Sequence, residues 1–446
     1  MRRAQRAITD TESPGILTHP GGRAVRALDA PVDPVALLAA LSGRALPALA
    51  RHRGATVVAA DPDAVARGPE VWAALSGAPA GDGERPAATM AGGWIAMLAY
   101  DLAGTLERLP APAPYPGGPP MALAARYPAV AVIDDDGRCV IAGTGRGGGD
   151  EAAVDELARL ARRHASRGPV GAPRPRAVAS SLPGDAYPEA VRAARELIRA
   201  GDCYQVNLVQ RLEAELPEGP LALARRMWAA SGPAPHRAYM AMPEGTLVSA
   251  SPELLVEVDG GRARSAPIKG TAPAGRWEEL RESAKDRAEH VMIVDLMRND
   301  LGRCARAGGV RVEGLFGRLS TPYVEHMAST ITAELRPGVG AGEVLRAVFP
   351  GGSVTGCPKL RAMEVIRELE PVSRGPAFGS VVTAGTDGRL EASVAIRTAW
   401  ASAGRAHYWC GGAVTWGSDP ARERGEAWDK AAPFLAAVGA RPPAWG

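Results

Sequence analysis

The turn Asp259-Gly260-Gly261 constrains the fold more tightly than any other stretch of this chain. It joins two strand-like runs, 253–258 and 262–267, and glycines in a short loop between such runs mark a β-hairpin. Further strands read at 204–209, 246–250, 392–400 and 406–414, and helices at 186–200, 278–298 and 358–370. Strand pairs interrupted by helices, without regular β-α-β alternation, predict an α+β fold around antiparallel sheet.

The upstream half is less regular. Residues 1–30 show no periodicity and read as frayed, and 32–138 alternates short apolar runs with Gly/Pro punctuation. Ala129–Ile133, followed by Asp134-Asp135-Asp136-Gly137, reads as a buried strand and turn, and a helix follows near 151–164. Residues 166–185 are rich in Pro, Gly and Ser and read as a linker between an N-terminal region, 30–165, and a larger region, 186–438. A chain of 446 residues is long enough for one large domain or two ordinary ones.

Composition excludes several classes of function. A formal net charge of +3 gives no concentrated basic face for nucleic acid. Arg2, Arg3 and Arg6 are followed by polar residues rather than the apolar run of a secretory signal, and no stretch is long and apolar enough to span a membrane. The five cysteines (Cys139, Cys203, Cys304, Cys357, Cys410) form no C-x-x-C pair, so they read as reduced thiols of a cytoplasmic protein, not a disulfide framework or zinc site.

The lysines are more informative. The chain has 52 lysines and arginines together, of which only Lys269, Lys285, Lys359 and Lys430 are lysine. Arginine stays protonated and cannot act as a nucleophile, so the rare lysines mark places where an amine is needed. Lys269 lies in Pro267-Ile268-Lys269-Gly270-Thr271, where Gly270 lets backbone approach a ligand and its amide, with that of Thr271, suits a carboxylate. By itself this pentapeptide is no more than a turn lysine.

Two helical segments carry paired carboxylates three residues apart, Asp286 with Glu289 and Glu423 with Glu426. The second pair follows Asp419-Pro420, a helix cap and first-turn proline. Such pairs line many solvated helix faces, but two of them on two helices also suit one hydrated Mg²⁺ bridging to an anionic substrate. The loop 349–359, Phe-Pro-Gly-Gly-Ser-Val-Thr-Gly-Cys-Pro-Lys, lacks a P-loop pattern yet precedes a helix, as anion-binding loops do. Its polar members Thr355 and Lys359 join the candidates. His326 is an unremarkable histidine by itself, whereas Arg397 in Val394-Ala395-Ile396-Arg397-Thr398 sits in an apolar strand and calls for a carboxylate partner.

Taken together, these motifs resemble the chorismate-utilising enzymes, a family of anthranilate, aminodeoxychorismate, isochorismate and salicylate synthases. The resemblance runs from about Tyr187 to Leu435, with a fainter echo at 92–110. It implies a large β-sandwich core of antiparallel sheets with flanking helices enclosing the site. It implies Mg²⁺ on Glu289 and Glu426, with Asp286 and Glu423 nearby, holding the ring carboxylate of chorismate. Gly270, Thr271, Arg397, Gly411 and Gly412 would position the substrate carboxylates, His326 would stand beside the ring, and Glu253 would be the acid/base. Lysine at 269, where anthranilate synthases have alanine, implies a covalent nucleophile and amination at C4, on the route to para-aminobenzoate and folate. Ammonia would come from a separate glutamine amidotransferase, since the chain shows no glutaminase Cys/His/Glu set. The chain departs from the family at Ala377, Val382, Ser393 and Ala413, and its early segment lacks the leucine-rich motif by which anthranilate synthases bind tryptophan.

Overall fold

The structure is a computed structural model and describes residues 17–19, 23–76, 90–115, 117–144, 149–163, 170–232, 234–320 and 324–442. Its frame is two large sheets, one of 13 strands and one of 10, whose strand pairings among the described residues are all antiparallel. The Asp259-Gly260-Gly261 hairpin forms as expected, joining Leu254–Asp259 to Arg262–Ala266 with both turn glycines at positive φ. The α+β expectation and the antiparallel sandwich both hold.

Strands from both halves of the chain interleave in both sheets. Gly93–Leu98 lies between Ser380–Gly385 and Ala122–Tyr127 in the smaller sheet, and Ala48–His52 pairs with His236–Met242 in the larger. Runs such as Ile95–Ala99 and Ala122–Ala125 are small and apolar on both faces, which suits strands covered on both sides. The 170–185 stretch is mostly irregular, with a short strand, Ala179–Ser180, on the edge of the larger sheet. Residues 166–169 lie outside the described part.

Three expectations need correction. Residues 1–30 are not all irregular: Leu17–His19 and Arg23–Ala27 form a hairpin whose second strand pairs with Cys139–Gly143. The 278–298 helix is two, Trp277–Glu282 and Ala284–Gly302, because Ser283 leaves helical backbone to cap the second. The strand read at 392–400 is also two, Leu390–Val394 in the smaller sheet and Thr398–Ser402 in the larger. The apolar run passes from one sheet to the other at Ala395–Arg397, and Arg397 turns the corner at φ +50. Among the described residues no helix is long and apolar enough to cross a membrane.

Candidate active site

Lys269 is the second residue of the strand Ile268–Pro273, which pairs with Val324–Leu335. The register slips between Lys269 and Thr271, so Gly270 is a bulge residue, at φ +79. A side chain at Gly270 would stand 2.8 Å from Leu280 Cδ1 and 3.4 Å from Asp286, so the position requires glycine both for conformation and for space. Beside this bulge the half-buried Lys269 points its amine inward, donating to the Ser353 carbonyl at 3.0 Å.

Burial lowers the Lys269 pKa from its usual value, and the Lys430 charge lowers it further, against Glu253, Glu289 and Glu426. Glu253 is buried next to it. Desolvation pushes that carboxyl up to about 7, although a hydrogen bond from Ser353 and the Lys269 charge pull the other way. Ser353 thus contacts both groups, its carbonyl taking the amine and its hydroxyl the carboxyl. A proton donor and an amine driven toward neutrality lie side by side.

The two carboxylate pairs arrive from two helices. Ser283 caps Ala284–Gly302 and exchanges hydrogen bonds with Asp286, which fixes Asp286 in the first turn and places Glu289 one turn on. Asp419 caps Pro420–Val438 through Ala421 and Arg422, carrying Glu423 and Glu426. The pairs meet: burial raises Glu289, and Asp286 and Glu423 raise it further by like charge. Burial and the Glu426 charge likewise raise Glu423. For Glu426 burial alone would raise the pKa, but the ion pair with Lys430 at 2.6 Å, together with Lys285 and Lys269, wins and lowers it.

Gly412 brings the sheet close to this cluster. A Cβ there would lie 3.1 Å from Glu423 Oε2 and 3.5 Å from both Glu426 Oε1 and Lys430 Nζ. At Gly411 the absent side chain leaves room for the neighbouring strand, since a Cβ would overlap Leu208 O, and its carbonyl accepts from Lys430 at 3.0 Å. Three of the chain's four lysines, Lys269, Lys285 and Lys430, therefore converge here.

Among the described residues no three His, Cys, Asp or Glu side chains stand in closed ligating geometry for a metal. The donor set nevertheless suits a hard divalent cation. Glu289 Oε1 and Glu423 Oε2 are buried without a hydrogen bond, and like charge loads both carboxyls. Lysine ammoniums partly neutralise the cluster, Lys430 on Glu426 and Lys285 at 3.8 Å from Glu289.

His326 is buried opposite Thr271 in the ladder and hydrogen-bonds the Gly270 backbone. Desolvation and then the Arg397 charge depress it to about 4, so it is neutral at physiological pH. Arg397 is left for a carboxylate from outside the protein. Among the described residues no ion pair holds its guanidinium, which is half-buried at the corner between sheets. Positive φ at a non-glycine residue costs ~1–2 kcal/mol and tends to be kept where a function needs it. Thr271 lies in the strand by its backbone, and its side chain is outside the described part.

Thr355 and Lys359 stand apart from this group. The Thr355 hydroxyl donates to the Gly351 and Gly352 carbonyls and shapes the loop from within. Lys359 donates to Asp300 at 2.5 Å and to the Pro350 and Val348 carbonyls, filling its three donor positions with protein partners. Sequence reasoning passed over Ser353, Lys285, Lys430 and His290. Lys430 is in the cluster, and its place as one of four lysines was signal enough. His290 is fully buried against Lys269 and Ser329, with Nε2 2.6 Å from the Ser329 hydroxyl and its pKa lowered to about 4 by desolvation and Lys269.

Residues 41–436 match the family model described as chorismate binding enzyme. The chain belongs to that family. Aminodeoxychorismate synthase component 1 of Klebsiella aerogenes is 38% identical over 349 residues, 76% of this chain and 75% of that one. Anthranilate synthase component 1 of Thermus thermophilus is 39% identical over 362 residues, 78% of this chain and 77% of that one. Anthranilate synthase component I of Streptococcus pneumoniae has the same fold, with TM-score 0.71, 23% identity and coverage of 96% and 97%. Overall identity separates chorismate-binding enzymes of different product poorly here.

Proposed function

We propose that this chain is the synthase subunit of a two-component enzyme that aminates chorismate at C4, giving 4-amino-4-deoxychorismate for para-aminobenzoate and folate. The Lys269 amine, beside a Glu253 carboxyl whose pKa is about 7, carries the reading. Enzymes resembling it that form anthranilate have alanine at that position and no amine to offer.

The Lys269 lone pair forms a bond to C2, the ring double bonds shift, and the C4–O bond breaks. Glu253 gives its proton to the departing hydroxyl, which leaves as water. Ammonia then bonds to C4, the double bonds shift back, and the C2–Nζ bond returns its pair to Lys269. The new C4 ammonium passes one proton to the Glu253 carboxylate, restoring the starting state. Arg397, which no ion pair among the described residues holds, takes a substrate carboxylate, and neutral His326 offers a hydrogen bond without adding charge beside the ring. Mg²⁺, held by Glu289 and Glu426 with Asp286 and Glu423 behind them, would supply positive charge for the ring carboxylate.

Ammonia has to come from outside this chain. Desolvation raises all five cysteine thiols above their usual range, Cys139 and Cys410 to about 12, and an activated thiolate needs the opposite shift. A glutamine amidotransferase subunit is the natural donor, which makes the overall reaction an amino-group transfer in the cytoplasm.

Incubation of the pure protein with chorismate, Mg²⁺ and ammonium should give 4-amino-4-deoxychorismate by mass, and the Lys269→Ala protein should not. Fluorescent anthranilate as the product would favour the second reading, which the similarity to the Thermus enzyme motivates. Intact chorismate under every amine supply would make the chain a binding relative, as the departures at Ala377, Val382 and Ala413 suggest.

A further inference from the structure

Packed against Lys269 is a histidine that the reaction described above does not use. His290 is fully buried on the helix Ala284–Gly302, one residue past Glu289, with its ring centroid 5.6 Å from that of Phe316. Its Nε2 lies 2.6 Å from the hydroxyl of Ser329, on the strand that pairs with the Lys269 strand. Its Nδ1 is also sealed from solvent and closes no short hydrogen bond, and the backbone group that the ring approaches is that of Lys269.

Which ring nitrogen carries the proton follows from these partners. Ser329 Oγ already accepts from the Phe316 amide at 3.1 Å, and among the described residues its own proton has no acceptor except His290 Nε2. An Nε2–H ring would leave that buried hydroxyl proton without an acceptor and turn a bare Nδ1 lone pair toward the Lys269 carbonyl. The Nδ1–H ring satisfies both ends. It completes one chain of donors, from the Phe316 amide to the Ser329 hydroxyl, to the His290 ring, to the Lys269 carbonyl.

That carbonyl stands where the ladder slips into the Gly270 bulge, so regular strand pairing does not by itself fix its direction. The Lys269 side chain leaves the same residue, and turning this peptide re-aims the amine. Hydrogen bonds that serve catalysis are often long before substrate binds and close in the loaded site.

The inference rests on the reading proposed above, in which the Lys269 amine attacks C2. We infer that His290 is a positioning residue for the nucleophile: its Nδ1–H closes on the Lys269 carbonyl and holds the Gly270 bulge at the angle that aims the amine. No proton is transferred through it, and the reacting atoms remain those already named.

Two substitutions separate the ring nitrogens. An asparagine amide N–H overlays Nδ1–H, whereas a glutamine amide N–H overlays the Nε2 position. The readout is single-turnover formation of the Lys269–chorismate adduct without ammonia, followed by mass. His290→Asn should stay within about threefold of the parent rate, and His290→Gln should be slower by about 10-fold or more. The half-saturating chorismate concentration should stay within about twofold in both. A merely structural histidine predicts no such order. The tautomer is read in the unsubstituted protein, whose folding is not in question. Nitrogen NMR of the seven histidine rings, with His290 assigned by its loss in either variant, should show Nδ1 protonated and Nε2 bare. Equal or reversed rates in the two variants would overturn the inference, as would a loss carried wholly by chorismate binding, or the Nε2–H form in the parent. A parent that forms no adduct would overturn the underlying reading, whereas a parent adduct without the Asn-over-Gln order leaves that reading standing.

Discussion

Burial acts in opposite senses on Glu253 and Lys269, raising the carboxyl to about 7 and lowering the amine from its usual value. The reaction needs the first protonated and the second neutral, so adduct formation should follow a bell in pH. One limb is set by protonation of Lys269 and the other by the Glu253 proton, at about 7. The Lys430 charge helps to keep Lys269 low. In Lys430→Gln the Lys269 limb should therefore move to higher pH, seen in single-turnover rates. The same carboxyl carries a stability cost. Its folded-state pKa lies above the unfolded value, so the folded protein holds the extra proton and stability falls as pH rises from about 4.5 through about 7. Glu253→Gln mimics the protonated form, so at about pH 8 it should denature later in urea, by about 2–3 kcal/mol, while C4 amination falls ~100-fold or more. A variant less stable than the parent at that pH would contradict the assigned protonation state.

At the level of elements, the loop carrying Ser353 is held from behind by one buried ion pair. Arg374 donates to Glu370 through Nε and Nη2, to Val354 O at 2.8 Å and to Asn207 O at 2.6 Å, while Glu370 accepts from Val209 N at 3.0 Å. The pair ties the strand Gln205–Glu215 and the loop 351–357 to the end of the helix Lys359–Leu369. Removing one partner of a buried pair strands the other charge, so Arg374→Met should destabilise by about 3–5 kcal/mol. The same change should lower Lys269 reactivity in whatever protein remains folded, because the Ser353 carbonyl loses its support. Loss of stability with unchanged adduct kinetics per folded molecule would show that the loop is held some other way. This support was hard to read from sequence. Glu370 and Arg374 are spaced like any exposed i, i+4 pair, and only the sheets packed over them reveal their burial.

Across the whole molecule, what could be read from the sequence depended on how local each signal was. The Asp259-Gly260-Gly261 hairpin, the Asp419-Pro420 helix start and the glycine at 270 are set by neighbouring residues, and all three appear where the sequence placed them. The crossing from one sheet to the other at Arg397 is not local: an unbroken apolar run hides a corner dictated by distant strands. The interleaving of both chain halves in both sheets was likewise invisible, since register across hundreds of residues leaves no trace in a short window. For the site, scarcity of lysine proved the best guide, bringing three of four lysines together, while Lys359 shows its limit by serving Asp300. Trapping tests most directly whether the Lys269 amine is the nucleophile. With chorismate and Mg²⁺ but no ammonia, peptide mapping by mass spectrometry should find a chorismate-derived adduct on Lys269, and none in Lys269→Ala. An Ala variant that aminates chorismate at C4 as fast as the parent would contradict the account.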